Sequence, residues 1–167
     1  MDEVAGFLAG SIACEGFSRA EVEELAKICK PVRFRSGDVI VAEDARERDL
    51  YLIKNGRAQI NLSGPSLRDD AGTISKVVPG QVFGELSFID GARRSTWVVA
   101  IDDVEAIQLG WQDFCRLTET NATIGYKFVY NLAQVIAERL RDTTMTLSNL
   151  LGVRGKELGR DFSNQQP

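Results

Sequence analysis

Short runs of apolar, often β-branched residues fill the middle of the chain, between residues 32 and 109. Many of them alternate with polar residues, which is typical of strands that bury one face. Turn-forming pairs separate the runs, and Asn55-Gly56 predicts a two-residue hairpin because both central positions of such a turn need a positive φ. The predicted strands are residues 39–41, 50–53, 58–62, 74–78, 97–100 and 104–109.

Helical patterns flank the strands. Ser18, followed three residues later by Glu21, predicts a capping box, and apolar residues then recur at helical spacing as far as Cys29. Residues 111–117 predict a short helix and residues 121–151 a long one. A helix of about 30 residues extends about 45 Å, which is more than a domain of this size can cover by itself. We therefore expect a homodimer through residues 121–151. The predicted seam consists of Val129, Leu132, Ile136, Arg139, Thr143, Thr146 and Leu150.

Short strands at this spacing favour a mainly β fold, an antiparallel β-roll or jelly roll with flanking helices and a long C-terminal dimerisation helix. The expected organisation is N-terminal helices and β-roll in residues 1–118, the dimerisation helix in residues 119–151, and a polar tail in residues 152–167.

Composition narrows the possible functions. The chain has 167 residues, enough for one domain, and no run approaches the length of a membrane span. The acidic N-terminus lacks the features of a secretory signal, which predicts a cytoplasmic protein without membrane association. A net charge of −4 with interspersed basic residues argues against direct nucleic-acid binding. Histidine is absent and the three cysteines are far apart, so we expect neither an enzyme nor a metal site.

Residues 82–97 differ from the rest because they begin with a glycine-carboxylate pair and end with arginines and hydroxyl residues. Gly84 lets the backbone approach a ligand closely, and the residues after it can form one helical turn whose N–H groups favour an anion. Arg94 can donate two hydrogen bonds to a phosphate, and Ser95 adds a hydroxyl. Glu85 can accept hydrogen bonds from sugar hydroxyls. A phosphate and a ribose bound by one short loop indicate a nucleotide.

This segment resembles the phosphate-binding cassette of the cyclic-nucleotide-binding domain family, in which Phe-Gly-Glu-Leu/Met is followed by Arg-small-small. Residues 35–40, 43–44 and 50–56 resemble early β-roll motifs of the family, and residues 94–97 are similar to the sensor domains of bacterial catabolite activators. The resemblance implies a dimeric regulatory module that binds cAMP or, alternatively, cGMP, and acts on an unidentified downstream protein. We expect no DNA-binding domain of its own, because only 16 residues follow Leu151.

The resemblance also implies residue roles. Glu85 would bind the ribose 2′-hydroxyl, and Arg94 the cyclic phosphate with help from Ser95. Thr143 would bond the purine, and Thr144 would reach the nucleotide of the partner subunit. The expected ligand-binding residues are Phe83, Gly84, Glu85, Leu86, Arg94, Ser95, Thr96, Arg139, Thr143 and Thr144.

Two residues depart from the family pattern: Arg93 stands where proline is common, and Thr96, in place of alanine, could crowd the pocket. The preference for cAMP rests on Ser95, because many cGMP-selective members have threonine there.

Three alternatives stay open. The chain could be a structural dimerisation module that binds no ligand, or it could bind cGMP or a cyclic dinucleotide. Thr143 and Thr144 could also be polar seam residues without a ligand contact.

Overall fold

The computed structural model describes residues 3–67 and 72–151. Short helices precede a group of strands, and two further helices follow it. The helices are α1 (Glu3–Ala9), α2 (Arg19–Ala26), α3 (Glu85–Asp90), α4 (Trp111–Thr120) and α5 (Ala122–Leu150), with a 3-10 turn at Ile12–Cys14. The strands are β1 (Cys29–Phe34), β2 (Val39–Val41), β3 (Leu50–Asn55), β4 (Ala58–Asn61), β5 (Thr73–Val77), β6 (Val82–Phe83), β7 (Trp97–Ala100) and β8 (Val104–Leu109).

The strands of the described residues form two four-stranded antiparallel sheets. One has the order β1-β8-β3-β6 and the other β2-β7-β4-β5. Apolar side chains from both sheets bury one another, as the alternating patterns predict. The prediction of a mainly β fold with flanking helices and a long C-terminal helix is therefore confirmed. The core cluster consists of Ile40, Val41, Tyr51, Ile53, Ala58, Val77, Phe83, Val98, Ala100, Val104 and Ala106.

The first strand was not predicted, because the helical spacing of apolar residues extends as far as Cys29. Helix α2 already ends at Ala26, and Cys29 pairs with Leu109 in β1. Among the described strands, β1 pairs with β8 alone and forms an edge of its sheet. An edge strand tolerates proline because one side of its backbone needs no ladder hydrogen bond. Strand β6, only two residues long, was also missed.

The hairpin predicted at Asn55-Gly56 is wrong. Strands β3 and β4 belong to different sheets, so the turn carries the chain from one sheet to the other. Of the two turn residues, Gly56 has a positive φ, of 78°, and Asn55 does not. A Cβ atom on Gly56 would lie 2.2 Å from the carbonyl oxygen of Asp103. Glycine is therefore needed here because the turn packs against the connection between β7 and β8.

The predicted capping box is confirmed. The Ser18 hydroxyl accepts a hydrogen bond from the Glu21 amide at 3.3 Å, and the Ser18 amide donates to the Glu21 carboxylate at 2.6 Å. The same carboxylate pairs with Lys127 of α5 at 2.8 Å. One glutamate thus fixes the start of α2 and joins it to α5.

The described residues divide into two compact units, one ending at Leu132 and the other beginning at Ala133. The division falls inside α5, and the predicted domain boundary after residue 118 stays a prediction. The predicted tail of residues 152–167 lies outside the described residues. No helix in the described part of the chain is long and apolar enough to cross a membrane.

Candidate functional site

The segment singled out in the sequence begins at the turn between β6 and α3. Gly84 is the N-cap of α3 and has φ 81°, a left-handed conformation that glycine adopts readily. A Cβ atom there would lie 2.6 Å from Nη1 of Arg94 and 2.8 Å from the carbonyl oxygen of Asp49. Close packing and backbone conformation both require glycine. Glu85 follows as the first residue of α3 and is buried.

Arg94 returns to this turn from the other end of the segment. Its Nη1 donates to the Gly84 carbonyl at 3.1 Å, and its Nη2 donates to the Asp49 carbonyl at 2.6 Å. Arg94 as a residue is only 4% exposed. A guanidinium has five N–H donors, so Arg94 can keep both bonds and still donate to a ligand. The turn, the buried carboxylate and the buried cation are thus brought together.

The charges around Arg94 act in opposite directions. Burial lowers the pKa of the Arg94 guanidinium, while the negative charges of Asp49, Glu47 and Glu85 and the hydroxyl of Tyr51 raise it. Arginine nevertheless stays protonated in proteins. The site therefore holds a permanent positive charge with acidic groups close by, which suits a ligand that has both an anionic group and hydroxyls.

The loop between β2 and β3 supports the end of the segment. The Asp44 amide donates to the Arg94 carbonyl at 2.9 Å, and the Arg94 amide donates to the Ala45 carbonyl at 3.0 Å. Arg93, at the position where the family often has proline, pairs with the Asp44 carboxylate at 2.8 Å. Asp44 itself has φ 63°. Backbone bonds and an ion pair therefore fix the segment around Arg94.

The other predicted residues of the segment differ in exposure. Phe83 is fully buried, and its ring stacks on Tyr51 with a centroid distance of 5.1 Å, so only its backbone can serve a ligand. Leu86 and Ser95 are exposed, and Thr96 is half-buried. Their ligand contacts stay predictions.

A family model for the cyclic nucleotide-binding domain matches residues 31–121. This range contains the whole segment around Gly84 and Arg94 and both sheets except the first two residues of β1. The chain belongs to the cyclic nucleotide-binding domain family. The resemblance recognised in the sequence is thereby confirmed. We call residues 82–97 the cassette; that they bind a phosphate stays a prediction.

Similar proteins agree with this assignment. The chain is 28% identical to the cyclic AMP receptor protein of Thermus thermophilus, over 84% of this chain and 62% of that protein. It is 29% identical to a cAMP-activated global transcriptional regulator of Mycobacterium tuberculosis, over 90% of this chain and 63% of the relative. A cyclic nucleotide-binding domain from Methylobacillus flagellatus superposes with a TM-score of 0.72 at 25% identity, covering 83% of this chain and 77% of that one. The chain thus spans about three fifths of the length of the two curated relatives.

Three predicted ligand residues lie in the second unit, on α5. Arg139 is half-buried, whereas Thr143 and Thr144 are exposed. The hydroxyls of the two threonines donate to the carbonyls of Arg139 and Leu140, each at 2.8 Å. The same hydroxyls can still accept a hydrogen bond. Their part in nucleotide binding stays a prediction.

Two features of the site were missed in the sequence. Asp49 contributes its backbone carbonyl, which no residue pattern reveals, and Tyr51 packs beneath the cassette as an ordinary core residue.

The described residues contain no cluster of three or more metal-ligating side chains. Burial raises the pKa of the Cys29 thiol to about 12, so this cysteine is a neutral apolar side chain.

Proposed function

We propose that the chain is a regulatory module that binds cAMP as a homodimer and catalyses no reaction. The observation that carries the proposal is the buried guanidinium of Arg94 beside the left-handed turn at Gly84 and the buried carboxylate of Glu85. A cyclic phosphate would receive the remaining N–H groups of Arg94. The ribose 2′-hydroxyl would donate a hydrogen bond to Glu85. A carboxylate only accepts hydrogen bonds, so it suits a hydroxyl group better than a negatively charged phosphate.

The choice of cAMP is supported by the names of two relatives, a cyclic AMP receptor protein and a cAMP-activated regulator. Ser95, exposed directly after Arg94, stands where many cGMP-selective members have a threonine that contacts the guanine amino group. A serine hydroxyl could also serve guanine, so this residue supports cAMP only by its likeness to the cAMP-binding members of the family. In the proposal Thr143 bonds the adenine amino group, and Thr144 bonds the nucleotide of the partner subunit.

Dimerisation is supported by the surface of α5. In the second unit, positions recurring at alternating spacings of four and three residues are mostly exposed and mostly apolar. The exposed fractions of Leu140, Leu147 and Leu151 are 65%, 54% and 68%. We name this set the α5 stripe; it consists of Ala133, Ala137, Leu140, Thr144, Leu147 and Leu151. Such a pattern fits a helix that packs against a copy of itself.

The α5 stripe replaces part of the seam expected from the sequence. Leu132, in the predicted seam, has no exposed surface and lies inside the first unit. Val129 and Leu150, also in the predicted seam, are exposed, with exposed fractions of 38% and 79%. The stripe is displaced from the predicted seam by one residue, which corresponds to about 100° around the helix axis.

Nucleotide-dependent stabilisation tests the proposal. A ligand that binds only the folded state raises the unfolding free energy by about 2.7 kcal/mol when its free concentration is about 100 times the Kd. We expect cAMP to raise the midpoint of thermal unfolding more than cGMP does. If cAMP, cGMP and cyclic dinucleotides all leave the midpoint unchanged, the chain is instead a structural dimerisation module of the same fold.

A further inference from the structure

The C-terminal end of the cassette helix α3 is held by Arg48, a residue of the loop between β2 and β3. Its Nε donates to the Ser87 carbonyl and its Nη2 to the Phe88 carbonyl, both at 3.0 Å. Carbonyls in the last turn of a helix have no partner within the helix, and a cation there complements the helix dipole. The Ser87 carbonyl also accepts a hydrogen bond from the Gly91 amide at 3.0 Å. Arg48 therefore satisfies the Phe88 carbonyl, adds a second donor to the Ser87 carbonyl, and fixes the end of α3.

The same guanidinium connects α3 to α4. Its central carbon lies 3.9 Å from the centre of the Trp111 ring, and Trp111 is the first residue of α4. The Trp111 ring also meets the ring of Phe88 edge to face, with a centroid distance of 5.1 Å. A Cβ atom on Gly91 would lie 3.2 Å from the Arg48 guanidinium, so the glycine that ends α3 leaves room for it.

The residue after Arg48 contacts the other half of the cassette. The Asp49 carbonyl accepts the hydrogen bond from Arg94, and the Asp49 carboxylate accepts one from Gln108 of β8. Two consecutive residues thus hold the helix that follows Gly84 and the arginine that faces it. A displacement of Arg48 would change the position of α3 relative to Arg94.

We propose that Arg48 is a positioning residue for the nucleotide: by fixing the end of α3 against Trp111, it sets the distance between the start of α3 and Arg94 and thereby the affinity for the cyclic phosphate. The inference rests on the proposed function, because it concerns the same site. In this inference Arg48 acts through its contacts with the end of α3 and with Trp111, without binding the nucleotide itself.

The test compares cAMP affinity, by titration calorimetry, in the wild type and in Arg48→Gln, Arg48→Lys and Arg46→Gln. Arg46 is an exposed arginine of the same loop and serves as the matched control. Loss of charged hydrogen bonds and of the stacked cation predicts about tenfold weaker binding in Arg48→Gln. Arg48→Lys keeps the charge without the planar fork and should fall between the wild type and Arg48→Gln. Arg46→Gln should bind like the wild type.

A second measurement separates positioning from general stability. In a Trp97→Phe background Trp111 is the only tryptophan of the chain. We expect cAMP to change its fluorescence when Arg48 is present, and we expect this change to be lost in Arg48→Gln at saturating cAMP. Thermal unfolding shows whether each variant is folded. If Arg48→Gln does not fold, Arg48→Lys decides by the same two readouts.

The outcomes are distinct. If the wild type binds cAMP and the Arg48 variants keep both its affinity and its fluorescence response, the positioning role is overturned and the proposed function stays intact. If Arg46→Gln weakens cAMP binding as much as Arg48→Gln does, the positioning role is also overturned. Absence of binding in the wild type overturns the proposed function and this inference together.

Discussion

Nη1 of Arg94 lies 3.1 Å from the carbonyl oxygen of Gly84, ten residues earlier in the chain. This bond closes the cassette on itself and directs the guanidinium towards the turn that begins α3. A binding group that is already held in place loses less conformational freedom when a ligand arrives. The pair therefore links the fold of the cassette to its proposed affinity for a phosphate.

Arg94→Lys should weaken cAMP binding by a factor of about ten to a few hundred, because one ammonium cannot keep both carbonyl bonds and also contact the phosphate with two N–H groups. Titration calorimetry gives the affinity, and circular dichroism reports the fold. Lysine is preferred to alanine because alanine would leave the Gly84 and Asp49 carbonyls without this donor. Arg93→Lys, at an exposed neighbour, should bind nearly as well as the wild type. Equal affinity in Arg94→Lys and the wild type would remove Arg94 from the site.

Gly84→Ala should lower both thermal stability and cAMP affinity, because its Cβ atom would collide with Arg94 and with the Asp49 carbonyl. Gly37→Ala is the matched control: Gly37 has φ 88°, and no described atom lies within 4 Å of a Cβ built there. That variant should show only the backbone strain of about 1–2 kcal/mol. The midpoint of thermal unfolding and the cAMP affinity are measured for both. If Gly84→Ala behaves like Gly37→Ala, close packing at the cassette turn is not important.

The sequence predicted most strands because their apolar residues alternate, and the capping box at Ser18 because it depends on two nearby residues. Its failures concern relationships between elements. Asn55-Gly56 has a hairpin composition, but β4 pairs with β5 and β7, and this choice depends on the whole arrangement of strands. Local patterns do not contain that information.

The candidate site shows the same division. Gly84, Glu85 and Arg94 were found by residue type and spacing, and the structure brings them together. Asp49 acts through its backbone, so its identity gives no signal. Leu132 was assigned to the dimer seam because apolar periodicity does not distinguish a face buried by its own domain from one covered by a partner.

Dimerisation should depend on the α5 stripe. We expect light scattering at micromolar concentration to give twice the chain mass of 18.4 kDa for the wild type. The double substitution Leu140→Glu and Leu147→Glu should give a folded monomer, since it places like charges across the seam. Gln134→Glu, at an exposed position outside the stripe, should remain dimeric. A monomeric wild type would contradict the proposed dimer.

Stability should depend on the ionisation of Glu21. The hydrogen bond with Lys127, followed by the Ser18 amide, lowers the pKa of this carboxyl from 4.5. A lowered folded-state pKa adds stability above pH 4.5, and this stability is lost as the pH falls through the folded-state value. Glu21→Gln should therefore unfold at a lower temperature than the wild type at neutral pH, and the difference should shrink in acid. Thermal unfolding across this pH range measures it; a difference independent of pH would contradict the explanation.

The base preference should depend on Thr143. In a competition assay, Thr143→Ala should reduce the ratio of cAMP to cGMP affinity, because the hydroxyl that accepts from the adenine amino group is removed. Thr146→Ala, another threonine of α5, should leave the ratio unchanged. If Thr143→Ala also leaves it unchanged, α5 does not read the base. A wild type that prefers cGMP would contradict the preference without affecting the cassette.

Titration of the wild-type protein with cAMP, beside a matched titration with 5′-AMP, tests the central claim most directly. The two ligands share base and ribose but differ in the cyclic phosphate that the cassette is proposed to recognise. We predict saturable binding of one cAMP per chain and much weaker binding of 5′-AMP. Absence of saturable cAMP binding, or equal affinity for the two nucleotides, would contradict the account.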